Sequence, residues 1–239
     1  MLSLFFKNPD VFTEEVIVDE LLDFFIAGTQ TLAFAIQCLL CHYATAPESL
    51  AKVRAELKDM AGGAAGEGRK SMLAKAMQLE TLGDLSYLSQ VAQEVLRYRP
   101  PAATSSIIEL TRDAQVGKYN VKAGDNIVIN IEGLHFNANE WQSPTKFYPQ
   151  RFDAEDKAFL TPGGGKRNPS SYIPFLGGKR ICFGKTFAET NLKVLASYLA
   201  QYFSYEFVDE RYTADQFPLL HANMSKIVPI MMRLRCHNE

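Results

Sequence analysis

One glycine-rich stretch, residues 175–184, decides the fold of this chain, and it reads Phe175-Leu176-Gly177-Gly178-Lys179-Arg180-Ile181-Cys182-Phe183-Gly184. Cys182 stands immediately ahead of a segment whose apolar periodicity predicts a helix. Glycines allow backbone N–H groups to approach the sulfur, and the helix offers its positive end, so both favour a thiolate over a thiol. A thiolate held in this way can ligate a metal.

The same stretch has other interpretations. A lone cysteine is usually a buried structural residue, and the residues alone leave that alternative open. A phosphate-binding loop is excluded, because Ile173 stands where the motif needs its first glycine and Arg180 stands where it needs a hydroxyl. Cys38 and Cys41 have zinc-like spacing, but they lie in an apolar segment without a second pair, which favours core packing.

A second motif places an acid and a base on one helix face. Glu94 and Arg97 are three residues apart in a helix predicted from about Leu85 to Tyr98, which Pro100-Pro101 ends. In a generic helix such a pair lies on the surface and contributes a few tenths of a kcal/mol. Taken alone, the pair therefore indicates no function.

A long apolar segment, residues 21–41, predicts a buried helix. The helix begins after Thr13, a capping hydroxyl followed by two acids, and runs to about Tyr43. Its apolar side chains cover most of the circumference, which predicts burial on nearly all sides. Polar residues interrupt it too densely for a membrane span: Asp23, Thr29, Gln30, Thr31 and Gln37. Its centre, Ala27-Gly28-Thr29-Gln30-Thr31, predicts a kink or a groove beside the glycine.

The composition limits the possible partners and predicts the fold class. With 25 Lys+Arg against 27 Asp+Glu, the 239 residues have no basic surplus for nucleic acid, and four cysteines are too few for a disulfide framework. Residues 100–174 change to short strands, predicted at Ser105–Thr111 and Asn126–Ile131 with a turn at 122–125, followed by a long meander. We therefore expect a mainly α fold with small β-sheets (α+β), no secretory leader, and a reducing compartment.

Residues 175–184 resemble the haem-binding loop of the cytochrome P-450 family, Phe-x-x-Gly-x-Arg-x-Cys-x-Gly. The resemblance implies the cytochrome P-450 fold and haem b (iron protoporphyrin IX) with the Cys182 thiolate as the axial iron ligand. It also implies that Phe175 shields the sulfur, that Arg180 pairs with a haem propionate, and that Gly178 and Gly184 are the glycines of the loop.

The other motifs are similar to the same family. Glu94 and Arg97 match its Glu-x-x-Arg helix, and Phe147-Tyr148-Pro149-Gln150-Arg151-Phe152 looks like the meander that supplies a second arginine, with Gln150 in place of the usual glutamate. The implied role of Glu94, Arg97 and Arg151 is a buried structural triad. The resemblance places His135 near the haem edge or the meander.

The central segment of the apolar helix matches the family's oxygen-side segment. The resemblance implies that Ala27 and Gly28 face the haem and that Thr31 relays protons, while Gln30 replaces the usual acid and cannot titrate. Segments expected to touch substrate are 24–31, 102–107 and 217–224, and their apolar character favours a lipid-like or terpenoid molecule.

The resemblance implies a haem-dependent monooxygenase that inserts one oxygen atom of O₂ into a small apolar substrate. Electrons would come from an NADPH-dependent reductase or a ferredoxin, and a basic patch of Lys166, Arg167, Lys179 and Lys185 would suit such an acidic donor. Because Gln30 replaces the usual acid, a haem-thiolate hydroperoxide isomerase or dehydratase is an alternative function. A non-catalytic haem-binding or inactive fragment is the third alternative.

The length points to part of the family's domain. The segments are 1–99 with the central and Glu-x-x-Arg helices, 100–174 with strands and meander, and 175–239 with the thiolate loop, the following helix and the last strands. The family's domain is nearly twice as long, so we expect the N-terminal half to be missing. Membrane contact is expected only through that half, at the endoplasmic reticulum if it carries an anchor.

Overall fold

The computed structural model describes residues 5, 7, 8, 12–60, 79–209 and 231–237. Its longest element is helix α1, Glu14–Thr45, which begins where the sequence predicts, because the Thr13 hydroxyl accepts a hydrogen bond from the Val16 N–H at 3.4 Å. The remaining helices are α2 (Pro47–Met60), α3 (Leu79–Leu82), α4 (Ser86–Tyr98), α5 (Ile131–His135) and α6 (Lys185–Tyr202). The predicted substrate segment 217–224 lies outside the described residues.

The hydrophobic core lies where α1, α2, α4 and α6 meet. Leu39 of α1, Val53 of α2, Val91 of α4 and Ala196 of α6 are each completely buried. Cys38 and Cys41 are buried on the core side of α1, as their apolar surroundings predict. Burial raises the pKa of the Cys41 thiol to about 12, so this side chain packs as a neutral group.

The prediction that α1 is buried on nearly all sides is wrong for its N-terminal half. Leu22, Phe25 and Ile26 are 53%, 70% and 53% exposed, whereas every buried residue of the helix lies between Ala35 and Tyr43. Because the core elements meet only the C-terminal half, the rest of the apolar circumference faces outward. Of the described helices, α1 alone is long and apolar enough to cross a membrane, a weak indication since core helices also meet that test.

The strands form three antiparallel pairs, each of two strands. They are β1 (Ile108–Glu109) with β4 (Asn126–Ile127), β2 (Ala114–Val116) with β3 (Tyr119–Val121), and β5 (Phe203–Phe207) with β6 (Met232–Cys236). The predicted strand 126–131 is too long, because Asn130 accepts the Gly133 N–H and starts α5 there. The hairpin of β2 and β3 was missed. It turns at Gly117, whose φ of 58° favours glycine.

Between α5 and α6 the chain makes four short 3₁₀ turns: Pro149–Phe152, Lys157–Phe159, Pro169–Ser171 and Gly178–Arg180. The first of them packs against α4, and the last lies in the cysteine loop. This segment is held by hydrogen bonds from side chains to the backbone rather than by long helices or strands. These hydrogen bonds set the position of the cysteine loop. The mainly α fold with small sheets is confirmed.

Candidate active site

The cysteine loop is closed by its own backbone. The N–H of Cys182 donates to the carbonyl of Phe175 at 2.9 Å, and the N–H of Leu176 donates to the carbonyl of Ile173 at 3.0 Å. Two residues turn with positive φ, Gly178 at 66° and Leu176 at 58°. A bulky residue in the left-handed region is sterically costly, and such conformations occur most often at functional sites.

Helix α6 begins directly after the loop. Gly184 is its N-cap, and the N–H of Lys185 donates to the carbonyl of Cys182 at 3.3 Å. Cys182 is exposed and stands just ahead of the N-terminal end of the 18-residue helix α6. The alternative of a buried structural cysteine is therefore wrong for Cys182.

A cavity of about 210 Å³ brings this loop together with α1. Cys182 lines one part of its wall, and Thr31 of α1 lines another. The lining is mostly apolar, with hydroxyls from Thr104, Ser105 and Ser106, and the described lining residues include no carboxylate. The predicted ligand and the predicted threonine thus share one cavity although they are far apart in sequence.

Thr31 is the residue of the central segment that faces this cavity. Its hydroxyl donates to the carbonyl of Ala27 at 2.7 Å, and the α-helical assignment of α1 is uninterrupted at this point. Gly28 instead lines a second groove of about 440 Å³, together with Phe24, Phe25, Thr29, Leu32, Ala33, Ile36 and Phe187. Gln30 and Ala27 are exposed and line neither space.

Glu94, Arg97 and Arg151 lie together, and all are completely buried. Arg97 donates to both carboxylate oxygens of Glu94, Nε to Oε2 at 2.7 Å and Nη2 to Oε1 at 2.8 Å. Arg151 Nε donates to Glu94 Oε1 at 3.1 Å, and the N–H of Tyr148 donates to the same oxygen at 2.8 Å. The carboxylate thus joins α4 to the first 3₁₀ turn of the meander.

The remaining guanidinium donors of the triad bind backbone. Arg97 Nη1 donates to the carbonyl of His135 at 2.9 Å, and Arg151 donates to the carbonyls of Gln142 at 2.7 Å and Lys146 at 3.0 Å. Burial lowers the pKa of the Arg151 guanidinium, and the Glu94 carboxylate acts in the opposite direction. Each buried charge is thereby paired and hydrogen-bonded, as burial requires.

His135 contacts the triad through Arg97. Its ring is completely buried, with Nδ1 3.1 Å from the carbonyl of Arg97, while Nε2 accepts the N–H of Ile173 at 3.0 Å. Burial lowers the pKa of this imidazole to about 4, so the ring is neutral at pH 7. Both ring nitrogens are hydrogen-bonded to backbone, as in a buried histidine whose polar atoms are satisfied.

Arg180 and the predicted basic patch differ in their surroundings. Arg180, Lys179 and Lys185 are exposed beside the cysteine, and the described residues give Arg180 no hydrogen bond or ion pair. Arg167 is not part of an exposed patch, because it donates to the carbonyls of Ala158 at 2.7 Å and Arg151 at 2.8 Å. The other three residues of the predicted patch are exposed: Lys166, Lys179 and Lys185.

Trp141 was missed by the sequence analysis. It is the single tryptophan of the sequence, it is buried, and its ring centroid lies 4.3 Å from the Arg167 guanidinium and 5.3 Å from that of Arg97. Its indole N–H donates to the carbonyl of Leu134 at 3.2 Å. Stacked guanidiniums on an aromatic ring tie the meander to the triad. The sequence signal that could have identified Trp141 is the position of the single tryptophan in a segment with many prolines and arginines.

The residues around the cavity fit a haem-thiolate centre. An exposed soft donor, Cys182, stands in an otherwise apolar wall, and the aromatic ring of Phe175 and the hydroxyl of Thr31 line the same space. Thiolate ligation in an apolar pocket is the donor chemistry of this class of iron site. Of the predicted cofactor contacts, Cys182 and Phe175 line this cavity, whereas the other five do not: Ala27, His135, Gly178, Arg180 and Gly184.

Comparison with known proteins gives a consistent picture. The family model described as Cytochrome P450 matches residues 2–232. Steroid 17-alpha-hydroxylase/17,20 lyase of Rattus norvegicus is 28% identical over 206 residues, which cover 86% of this chain and 38% of that protein. The protein of the same name from Oryzias latipes is 31% identical over 182 residues, covering 76% of this chain and 32% of its own length. The chain thus spans about a third of the length of these relatives.

Solved structures resemble the fold over a similar range. Retinoic acid-bound cyanobacterial CYP120A1 superposes with a TM-score of 0.71 at 26% identity, covering 88% of this chain and 44% of that one. A cytochrome P450, CYP102L1, superposes with a TM-score of 0.67 at 27% identity, covering 82% and 41%. The architecture described above is therefore part of a larger known fold.

Proposed function

Because the chain belongs to the cytochrome P450 family, a family of haem-dependent monooxygenases, we propose that it forms the thiolate side of such an enzyme. The observation that carries the proposal is the shared cavity of Cys182 and Thr31. Haem, when bound there, supplies the activation of O₂: one atom enters a C–H bond and the other leaves as water, with two electrons and two protons consumed. The residue roles below are part of this proposal.

Cys182 provides the thiolate ligand, and its surroundings hold the residue in place. The bond from its N–H to the Phe175 carbonyl holds the loop closed, and the first turn of α6 directs its positive end toward the loop. The apolar residues Leu32, Ala35 and Leu192 exclude water from the cavity wall.

Thr31 lines another part of the cavity wall and holds a water molecule there as a proton donor. Since its own proton is directed to the carbonyl of Ala27 at 2.7 Å, its oxygen is free to accept a hydrogen bond from a water molecule. Arg180, exposed beside the ligand, binds a carboxylate of the cofactor. Lys179 and Lys185, both exposed, offer positive charge to an acidic electron-donating protein.

The substrate class proposed is a compact, apolar, sterol-like molecule. Two relatives are named steroid hydroxylases, and the cavity wall is apolar apart from the hydroxyls of Thr104, Ser105 and Ser106. A molecule with an apolar body and few oxygen atoms matches such a wall, because unpaired polar groups would be costly to bury.

Replacing the ligand tests the proposal. In Cys182→Ser, the hydroxyl is a poor ligand for iron, so we expect loss of the thiolate-type Soret band of the reduced carbon monoxide complex. The matched control is Cys236→Ser, an exposed cysteine in β6, which should keep the band. Retention of the band in the Cys182 variant would refute the assignment.

A second candidate function rests on the missing acid. The described residues that line the cavity include no carboxylate, and Gln30 is exposed outside it. A hydroperoxide isomerase or dehydratase needs neither external electrons nor a proton relay. Turnover of an organic hydroperoxide without an electron donor, and none with O₂ and a reductase, would favour that function over monooxygenation. Failure to retain about one haem per chain would favour a non-catalytic role.

A further inference from the structure

His135 connects two parts of the molecule through its two ring nitrogens. Nδ1 lies 3.1 Å from the carbonyl oxygen of Arg97 at the end of α4, and Nε2 lies 3.0 Å from the backbone nitrogen of Ile173. A carbonyl only accepts and an N–H only donates, so Nδ1 carries the proton and Nε2 is the acceptor. The contacts therefore determine the tautomer.

The α4 side of this connection is reciprocal. Arg97 Nη1 donates to the carbonyl of His135 at 2.9 Å, while the His135 ring donates to the carbonyl of Arg97. Both side chains are completely buried, and Arg97 is held by its two bonds to Glu94. The imidazole is thus attached to a buried cluster whose side chains are fixed by several hydrogen bonds.

The other side of the connection leads to the cysteine loop. Ile173 accepts the N–H of Leu176 at 3.0 Å, and Phe175 accepts the N–H of Cys182 at 2.9 Å. The ring of Tyr172 stacks on His135 with centroids 5.4 Å apart, and its hydroxyl donates to the carbonyl of Gln93 at 3.1 Å. The start of the loop is therefore held against α4 by a short series of hydrogen bonds.

We propose that His135 is a positioning residue. Its ring is fixed by the Glu94–Arg97 pair, and by accepting the Ile173 N–H it holds the thiolate loop in place relative to that pair. In this role the residue acts through the backbone between 173 and 182. The inference uses the proposed haem-thiolate function for one of its readouts and is independent of it in the others.

Two amide substitutions distinguish the two hydrogen bonds that the His135 ring makes. The side-chain amide of asparagine reaches the position of Nδ1, so His135→Asn keeps the bond to Arg97 and leaves Ile173 without its acceptor. The longer amide of glutamine reaches the position of Nε2, so His135→Gln restores that acceptor. We expect exchange of the Ile173 amide hydrogen in the haem-free chain to be at least about fivefold faster in His135→Asn than in His135→Gln.

A spectroscopic readout links the same contact to the ligand. In haem-loaded chains, a larger fraction of the reduced carbon monoxide complex should show the thiol-type band in His135→Asn than in His135→Gln. Leu57→Ala, a completely buried substitution in α2, is the matched control for general destabilisation, and it should leave the band unchanged. If the chain binds no haem at all, the proposed function fails while the exchange result still tests His135.

Three results would overturn the inference. They are equal exchange of the Ile173 amide in the two His135 variants, equal acceleration in Leu57→Ala, and wild-type ring ¹⁵N shifts that place the proton on Nε2. The last measurement needs no variant, so the inference remains testable if either substitution prevents folding.

Discussion

Glu94 is a carboxylate buried between two guanidiniums, and the net stability of this cluster depends on keeping all of its partners. Its oxygens accept from Arg97, from Arg151 and from the N–H of Tyr148, at 2.7–3.1 Å. Taking three charges out of water is costly, and the cost is recovered only while every charge is paired. Removing one partner therefore has a far larger effect than the same change on the surface.

The corresponding prediction concerns Glu94→Gln. The substitution leaves two guanidiniums buried without a counter-charge, so we expect the free energy of unfolding to fall by about 3–5 kcal/mol, measured by urea denaturation. Glu206→Gln is the matched control, since Glu206 is 52% exposed and pairs with the exposed Arg233 and Arg235. It should cost about 1 kcal/mol or less. Similar losses in the two variants would contradict the structural role of the triad.

At the scale of elements, α1 combines two different environments. Its C-terminal half supplies Leu39 and Tyr43 to the core, and the Tyr43 hydroxyl donates to the carbonyl of Ala196 in α6 at 3.2 Å. Its N-terminal half carries exposed apolar side chains and reaches the cysteine loop through the Phe24–Phe183 ring contact, with centroids 5.6 Å apart. The helix thus anchors the fold at one end and borders the site at the other.

Two truncations distinguish these halves. Leu39→Ala empties a completely buried site and should lower the free energy of unfolding by about 2–5 kcal/mol. Phe25→Ala removes a larger side chain that is 70% exposed, and it should change the stability of this chain by only about 0.5 kcal/mol. Thermal or urea unfolding followed by circular dichroism measures both. A greater loss in Phe25→Ala would show that this face is covered in solution.

The meander shows why short elements need tertiary contacts. Arg151, Arg167 and Trp141 hold it through bonds to backbone carbonyls and through stacked rings rather than through a helix or a sheet. Such contacts have no periodicity in the sequence. The start of the cysteine loop is positioned in the same way, by the bond from the Ile173 N–H to the His135 ring.

At the scale of the whole molecule, two buried histidines link stability to pH. His42 is 5% exposed, stacks on Phe147 with centroids 3.9 Å apart and shares a hydrogen bond of 2.8 Å with Ser49. Burial lowers the pKa of His42 to about 3 and that of His135 to about 4. The unfolded chain binds protons at about pH 6.5, so stability from these groups is present above that pH and is lost as the pH falls toward 4.

We therefore expect acidification from pH 7 to pH 5 to lower the free energy of unfolding by about 2 kcal/mol for each of these histidines. Urea denaturation at the two pH values measures the difference. In His42→Gln, one of the two titrations is removed, so the loss between pH 7 and pH 5 should shrink by about 2 kcal/mol whatever the stability at pH 7. An unchanged loss would mean that His42 titrates alike in the folded and unfolded chain.

Much of the helical architecture could be predicted because its signals are local. The Thr13 cap, the Pro100-Pro101 stop and the apolar periodicity of 185–202 each depend on neighbouring residues, and the helices begin or end within about two residues of the expected positions. Strands β1 to β4 were harder to predict, because each has only two or three residues and is too short to show a period of alternation.

By itself, the sequence determined the family, the nature of the proposed ligand and the composition of the triad, because these follow from residue types at short fixed spacings. Only the tertiary structure decided which surroundings those residues meet. It placed Thr31 but not Gln30 on the Cys182 cavity, it placed His135 against Ile173, and it left half of α1 exposed. Burial and long-range hydrogen bonds depend on how distant segments pack, and spacing along the chain does not encode that directly.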